Sequence, residues 1–246
     1  MNKRPIKFYL SAVLIAAGIC AMAVSSPATA AAGAAEMDAV TFATEPKKIY
    51  VPLEETAKRL RWPIQRTEGS DAISLRKVSI PIGSIRQLAD GTELISIADL
   101  AAAGARVEKD PETGTTTIGS WFRRLNISVG EKRVEINLAK QQLSAWQGQR
   151  LVLQTKISSG RDGRTPTGEF RAGPYKSRKH YSSLYDNAPM PWSVQVHGNV
   201  FVHGFTSVPD YPASHGCIRV PLTGKNPAKF FYEWVNVGTP IAIVKR

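Results

Sequence analysis

The sequence is most informative at Val202-His203-Gly204 and at Ser214-His215-Gly216-Cys217-Ile218-Arg219. In the first segment an apolar run ends at a histidine, and in the second a cysteine follows a glycine inside a polar turn. The spacing suits two neighbouring strand ends joined by a loop. A cysteine attacks mainly as the thiolate, which a nearby histidine can generate. We therefore predict a nucleophilic site with Cys217 as nucleophile and His203 as base.

These segments resemble the active-site signature of the L,D-transpeptidases with a YkuD-type catalytic domain, which has a histidine, a spacer, Ser/Thr-His-Gly-Cys, an apolar residue and Asn or Arg. Three upstream and downstream landmarks follow in the family's order: an opening hairpin through Val134–Leu138, a turn at Thr165–Phe170 and a closing strand at Gly238–Ile243. The resemblance implies a mainly β (α+β) fold. Residues 124–246 would form a β-sandwich catalytic domain with one helix and a lid loop.

A second histidine, His197, competes for the role of base, because the commonest form of the signature has a longer spacer than His203 provides. We prefer His203, since Val200-Phe201-Val202 leads into it as an apolar strand. His197-Gly198-Asn199 is typical of the hairpin turn before that strand.

The resemblance also assigns roles around the cysteine. Some relatives have a serine directly after the histidine, which orients its ring. Here Gly204 stands at that position, so a backbone carbonyl near Gly204 is the expected orienting group. Backbone amides of Gly216 and Cys217 would form the oxyanion hole, each worth about 3 kcal/mol of the barrier. Arg219 would pair with a substrate carboxylate through its planar guanidinium.

Ser214, His215 and Tyr185 complete the predicted substrate-binding set. Each has a plainer alternative: Ser214 could bond the turn, His215 could position neighbours, and Arg219 could make a structural ion pair. A zinc site is conceivable by ligand type, from His197, His203, His215 and Cys217, but these residues lack paired ligand spacing. We predict neither metal nor other cofactor.

Residues 1–30 have the pattern of a cleaved signal peptide, with basic residues at Lys3, Arg4 and Lys7, an apolar core, and Ala28-Thr29-Ala30 before the cut. Lipid attachment at Cys20 is disfavoured by Ile19 before it. Cleavage would remove Cys20 and leave one cysteine, which cannot form an internal disulfide. We expect a periplasmic or cell-envelope protein with no stable membrane insertion after cleavage.

The net charge of +12 would fall to about +9 after removal of Lys3, Arg4 and Lys7 with the signal peptide, and this balance favours an anionic polymer as partner. Export favours envelope polymers, and we predict no nucleic acid partner. By the resemblance, the substrates are peptidoglycan stem peptides, and a wall-attached protein is a possible acceptor.

The segment before the catalytic half is predicted to contain a linker, residues 31–46, and a small α+β domain, residues 47–120. A faint duplication places helix-like stretches after Val51 and, about forty-four residues later, after Ile95. This resembles the repeat domain named after the N-terminus of copper amine oxidases, although no copper ligands are evident. The domain is interpreted as a spacer, with wall binding as the alternative.

The catalytic half should be rich in strands, at 134–138, 143–146, 151–157, 193–196, 200–202 and 239–244. One helix is predicted at 227–235, where Phe230, Phe231 and Trp234 have helical spacing. The polar segment 175–187, which includes Tyr185, is interpreted as the lid loop.

Three functions fit these features. The leading hypothesis is an exported transpeptidase that forms an acyl-thioester on Cys217 and transfers the acyl group to an amine. A peptidoglycan L,D-carboxypeptidase or cross-link hydrolase would use the same nucleophile with water. A wall-binding protein with an inactive site is the third.

Overall fold

Short runs of alternating apolar residues dominate the chain and form strands whose buried faces pack together. The computed structural model describes residues 35–246 and is 13% helical and 43% strand. The mainly β fold expected from the sequence is thus confirmed. The predicted signal peptide and Cys20 lie outside the described residues.

The described residues contain three α-helices, α1 Leu53–Leu60, α2 Ile97–Ala102 and α3 Pro227–Trp234. The strands are β1 Ala35–Asp38, β2 Val40–Thr41, β3 Ile49–Pro52, β4 Ile64–Arg66, β5 Ala72–Leu75, β6 Val78–Pro81, β7 Arg86–Gln87, β8 Glu93–Ser96, β9 Arg106–Lys109, β10 Thr116–Ser120, β11 Arg123–Ser128, β12 Lys132–Asn137, β13 Gln142–Gln147, β14 Arg150–Lys156, β15 Gly168–Arg171, β16 Lys176–Ser177, β17 Ser193–His197, β18 Val200–Phe205, β19 Ile218–Pro221 and β20 Pro240–Val244.

The catalytic half is built on two sheets and one helix. One sheet has the order β14-β13-β12-β20-β15 and the other β16-β17-β18-β19. Their apolar faces, together with α3, form one core that includes Ile136, Val202, Ile218 and Trp234. Every strand predicted in this half is present, and the predicted helix is observed as α3.

Helix α3 is held at its C-terminal end by two lysines, which complement the negative end of the helix dipole. Lys132 Nζ donates to the carbonyl of Trp234 at 2.6 Å, and Lys176 Nζ donates to that of Tyr232 at 2.9 Å. Burial lowers the pKa of Lys132 to about 7 and that of Lys176 to about 8. This helix packs behind β18 and so supports the strand that carries His203.

The N-terminal half consists of three small sheets, β1-β11-β10-β9, β2-β3-β8-β7 and β4-β5-β6. The duplication seen in the sequence appears as two strand–helix–strand–strand units, β3-α1-β4-β5 and β8-α2-β9-β10, whose first strands pair antiparallel. A second core, which includes Leu53, Leu100 and Ile118, lies within this half. The resemblance to the copper amine oxidase repeat domain stays a prediction.

Two predicted boundaries need correction. The stretch 31–46 is not simply a linker, because residues 35–41 form β1 and β2, and Val40 and Phe42 are buried in the core of the catalytic half. Small residues obscured the pattern there. The catalytic half also begins later than residue 124, since β11, Arg123–Ser128, pairs with β1 and β10 of the N-terminal half.

The two halves share contacts that a flexible spacer would not make. Arg86 bridges Glu45 and Glu233, with its Nη1 at 2.8 Å from Glu233 Oε2. The ring of Phe42 packs edge-on against Phe230 of α3, with 5.7 Å between centroids. Residues 35–246 thus belong to one compact unit. No helix in this part of the chain has the length and apolarity needed to cross a bilayer.

Candidate active site

The site is built on two parallel strands. In β18 and β19, Val202 pairs with Ile218 and His203 with Arg219. Cys217 immediately precedes β19, and its thiol lies 3.5 Å from the carbonyl oxygen of Asn199, at the start of β18. Residues two apart on a strand share a face of the sheet. The register places Cys217 opposite Phe201, two residues before His203, so His203 and Cys217 lie on the same face of the sheet.

His203 is buried, with 4% of its surface exposed. Its Nδ1 lies 3.0 Å from the carbonyl oxygen of Gly204. A carbonyl can only accept, so Nδ1 must carry the proton, and Nε2 of the neutral ring is left as the acceptor. The contact with Gly204 is the one expected from the sequence.

Gly204 is constrained by packing as well. A Cβ atom built on it would lie 2.3 Å from Cδ2 of Leu222 and 3.2 Å from Cβ of Ala228 in α3. A serine, as in the relatives that orient the histidine with a side chain, would displace Leu222. The carbonyl of Gly204 therefore orients the His203 ring at a position where no side chain fits.

Burial sets the protonation of the two central groups. It lowers the pKa of His203 to about 4; the hydrogen bond to the Gly204 carbonyl opposes this, and Arg219 and His180 act in the same direction as burial. Burial also raises the pKa of the Cys217 thiol, against smaller opposing effects of the Phe201 amide and Arg219. The free site therefore holds a neutral thiol and a neutral imidazole at neutral pH.

The cysteine turn is fixed by buried hydrogen bonds. Ser214, 2% exposed, donates through its hydroxyl to the Cys217 carbonyl and accepts from the Gly216 amide at 3.0 Å. Thr165 Oγ1 donates to the Gly216 carbonyl at 2.7 Å. Gly216 has φ +142°, a backbone conformation that a side chain would strain.

These contacts correct two predictions. Ser214 is not placed to touch substrate, because its hydroxyl is buried and committed to the turn. The Gly216 amide, predicted to donate to the oxyanion, instead donates to Ser214 Oγ. It would have to exchange partners before it could serve an oxyanion.

His215 and Tyr185 are brought together. Their rings stack with centroids 4.3 Å apart, and both residues are exposed. His215 is thus in contact with the segment predicted as a lid. The pKa of His215 is lowered, mainly by loss of solvent around the ring and further by the positive charges of Arg161, Arg164 and Arg219. Their influence marks this face of the site as electropositive.

Arg219 lies on β19 opposite His203, with its guanidinium 4.1 Å from the ring centre of Phe205. Its backbone amide donates to the Ser158 carbonyl. Among residues 35–246 it makes no ion pair, so the alternative of a structural ion pair is not supported there. A half-buried, stacked guanidinium is well suited to bind the carboxylate of a ligand by donating hydrogen bonds to it.

His197 ends β17 at an exposed position, and its ring packs against Phe170 at 5.3 Å between centroids. Gly198 and Asn199 form the hairpin loop to β18, as predicted.

Three groups that sequence reasoning passed over join the site. Thr165 belongs to the recognised turn motif, which was the available signal. Gly160 donates to Thr165 Oγ1 at 2.7 Å, and His180 packs on Phe201 with its Nδ1 3.1 Å from Tyr175 Oη. No local pattern could have placed Gly160 here, whereas His180 lies in the segment 175–187 that is predicted as the lid loop.

No group of three His, Cys, Asp or Glu residues that could hold a metal ion occurs within the described range. The four residues considered for zinc are thus not gathered around one point.

The protonation state predicts how thiol reactivity depends on pH. Because the pKa of Cys217 is raised and that of His203 lowered, we expect alkylation of Cys217 by iodoacetamide to keep rising with pH through pH 9. A preformed thiolate–imidazolium pair would instead give a plateau from about pH 5 that disappears in His203→Ala. Alkylation rates measured by intact mass between pH 4 and 10 distinguish the two curves.

Residues 131–243 match the family model described as the L,D-transpeptidase catalytic domain, YkuD. This part of the chain is therefore similar to the L,D-transpeptidase catalytic domains of the YkuD family. No curated protein matches the chain significantly.

Similar solved structures include L,D-transpeptidases from three organisms. That from Stackebrandtia nassauensis is 22% identical, with 48% of this chain and 58% of that chain covered and a TM-score of 0.42. That from Xylanimonas cellulosilytica is 32% identical, with 48% and 62% covered and a TM-score of 0.40. That from Mycobacterium smegmatis is 18% identical, with 87% and 96% covered and a TM-score of 0.42. The chain thus spans about three fifths of the first two, and the family assignment rests on the domain match.

Proposed function

We propose that this chain is an exported cysteine L,D-transpeptidase that acts on peptidoglycan stem peptides. The observation that carries the proposal is His203, buried on β18 with its Nδ1 bound to Gly204, on the strand that pairs with β19, which begins directly after Cys217. Both residues lie within the range matched by the family model. The signal-peptide pattern supports the export part of the proposal.

The neutral pair leads to a general-base mechanism. As Cys217 Sγ attacks the carbonyl carbon after the L-centre of the third stem residue, its proton passes to His203 Nε2. The tetrahedral intermediate collapses to a thioester, and the terminal D-amino acid leaves as an amine that takes the proton back. An amine of a second stem, or of a wall-attached protein, then attacks the thioester. Its proton passes through His203 to the departing sulfur.

The charge around the turn supports a donor that ends in a carboxylate. Arg161, Arg164 and Arg219 all act on His215 as positive charges. Of these, only Arg164 has a nearby acidic partner in the described chain, Asp162 at 3.8 Å. The carboxylates of a stem peptide would supply the missing negative charge.

Hydrolysis is the alternative outcome, since water could resolve the same thioester. Incubation of the purified protein with tetrapeptide muropeptides, followed by mass analysis, separates the functions. Cross-linked dimers are expected for a transpeptidase, trimmed monomers would indicate a carboxypeptidase, and unchanged muropeptides would support an inactive wall-binding protein. Cys217→Ser serves as the matched control.

Arg219 is predicted to bind the donor's terminal carboxylate. The wild type should prefer a free-acid donor to its amidated analogue, and Arg219→Ala should lose most of that preference. Removal of one partner of a desolvated charge pair costs roughly 2–5 kcal/mol. Arg219→Lys keeps the charge but not the planar fork, so we expect a marked loss for it too.

The comparison requires kcat/KM for both donors with each variant, and thermal unfolding to verify the fold. An unchanged free-acid preference in folded Arg219→Ala would reassign this arginine to a structural role.

A further inference from the structure

The hairpin β10–β11 of the N-terminal half ends in two exposed aromatic residues. Ser120 pairs with Arg123, so Trp121 and Phe122 alone form the loop. Their side chains are 88% and 99% exposed. Large apolar side chains so fully in water are uncommon at the surface of a folded domain and mark contact sites when they cluster.

The turn geometry makes this choice of residues more unusual. Trp121 has φ +53°, in the left-handed region, whereas Phe122 does not. Two-residue hairpin loops favour glycine, asparagine or aspartate at such positions, because a bulky side chain is strained there. A tryptophan in that conformation and exposed to solvent does not stabilise the fold more than an Asn-Gly loop would. A role outside the fold accounts for it.

The surroundings of the tip are cationic. Beside it lies a cavity of about 600 Å³ that contains three arginines and no acidic residue, lined by Leu60, Arg61, Trp62, Pro63, Arg76, Ser120, Trp121, Phe122 and Arg123. Arg76 stacks over Trp62 with 4.9 Å to the ring centre, and Trp62 Nε1 donates to Ser120 Oγ at 2.9 Å. The base of the tip is therefore rigid, and Arg61 and Arg123 remain exposed.

We propose that this aromatic–arginine tip docks the protein on an anionic phospholipid surface. The two aromatic rings would lie at the level of the headgroups, where Trp is favoured, and the arginines would pair with lipid phosphates. Charge complementarity argues against a second copy of this chain, whose net charge is +12. The cavity lining contains no carboxylate or amide side chain, which disfavours a sugar polymer as the occupant.

The test compares the full chain with Trp121→Asn/Phe122→Gly, which removes both rings and installs a loop that suits the turn. Binding is measured by co-sedimentation with vesicles of phosphatidylcholine alone and with one quarter phosphatidylglycerol. We expect the wild type to bind the anionic vesicles, and the double variant to bind at least tenfold more weakly with an equal or higher Tm. Because all variants carry the same N-terminal residues, the difference reports on the tip.

Two further measurements identify the contact. Brominated lipids should quench a tryptophan component that Trp121→Asn removes. Arg61→Gln/Arg123→Gln should abolish the preference for anionic over neutral vesicles, whereas Ile82→Asn, at an exposed apolar position elsewhere, should change neither. Equal vesicle binding by the Asn-Gly variant would overturn the proposal. Two other results would also overturn it. One is a dimer of the wild type that the Asn-Gly variant does not form. The other is a wild type that binds isolated peptidoglycan but not vesicles, with the peptidoglycan binding lost in the same variant.

Discussion

Cys217→Ser is expected to reduce turnover of stem-peptide donors by at least about 10⁴-fold, the scale seen when a nucleophile is removed from a catalytic unit. A serine hydroxyl ionises far less readily than a thiol. Burial already keeps the Cys217 thiol protonated, and Arg219 and the Phe201 backbone oppose this only in part, so the less acidic alcohol would also stay protonated. The measurement is the rate of dimer or trimmed-monomer formation from tetrapeptide muropeptides.

The fold should survive this substitution. The polar contacts of the thiol are weak, with the Asn199 carbonyl at 3.5 Å and with the Phe201 backbone, while the turn itself is held by Ser214 and Thr165. We therefore expect the Tm to stay within about 2 °C of the wild type, since changes away from packed or networked groups cost little. Turnover near the wild-type rate in a folded Cys217→Ser protein would exclude cysteine as nucleophile.

His203→Ala is expected to lower kcat/KM by about 10²–10⁴-fold, the usual contribution of a general base. The buried ring is the group whose Nε2 remains free to take a proton. His197→Ala is the matched control, because His197 is an exposed histidine on the adjacent strand that packs on Phe170. We expect it to reduce kcat/KM by less than tenfold.

The pH profile separates a base from a structural histidine. With the pKa of His203 lowered to about 4, the neutral ring is present above that pH. Activity should therefore fall as pH drops through about 4 to 5, and this acid limb should be absent from the residual activity of His203→Ala. An inactive His197→Ala with an active His203→Ala would show that the base had been assigned to the wrong histidine.

The local pattern around His203 and Cys217 was sufficient to predict much of this protein. Apolar alternation located the strands of the catalytic half, because a strand must bury one face. The helical spacing of Phe230, Phe231 and Trp234 located α3 for the same reason. The choice of His203 over His197 also followed from the strand pattern, and the structure shows one ring buried and the other exposed.

The boundaries near residues 35–41 and 123–128 could not be predicted in this way. Strands β1 and β11 pair in parallel although they are far apart in sequence, and the residue pattern of neither strand indicates which strand it pairs with. The packing of Phe42 against Phe230, in the core of the catalytic half, depends on the same kind of long-range contact.

The sequence by itself determined the strand and helix types of the catalytic half and the contact between His203 and the Gly204 carbonyl, because each depends on near neighbours along the chain. It also predicts that Cys217 and His203 carry the chemistry. Only the tertiary structure decided the protonation of His203 and Cys217, since burial is the product of the whole fold. It also decided that Ser214 serves the turn and that His215 meets Tyr185. The contact between His215 and Tyr185 joins segments far apart in sequence, and the distance between such segments is set by packing alone. The hydrogen bonds of Ser214 are local, but the burial that commits its hydroxyl to the turn is a product of the fold.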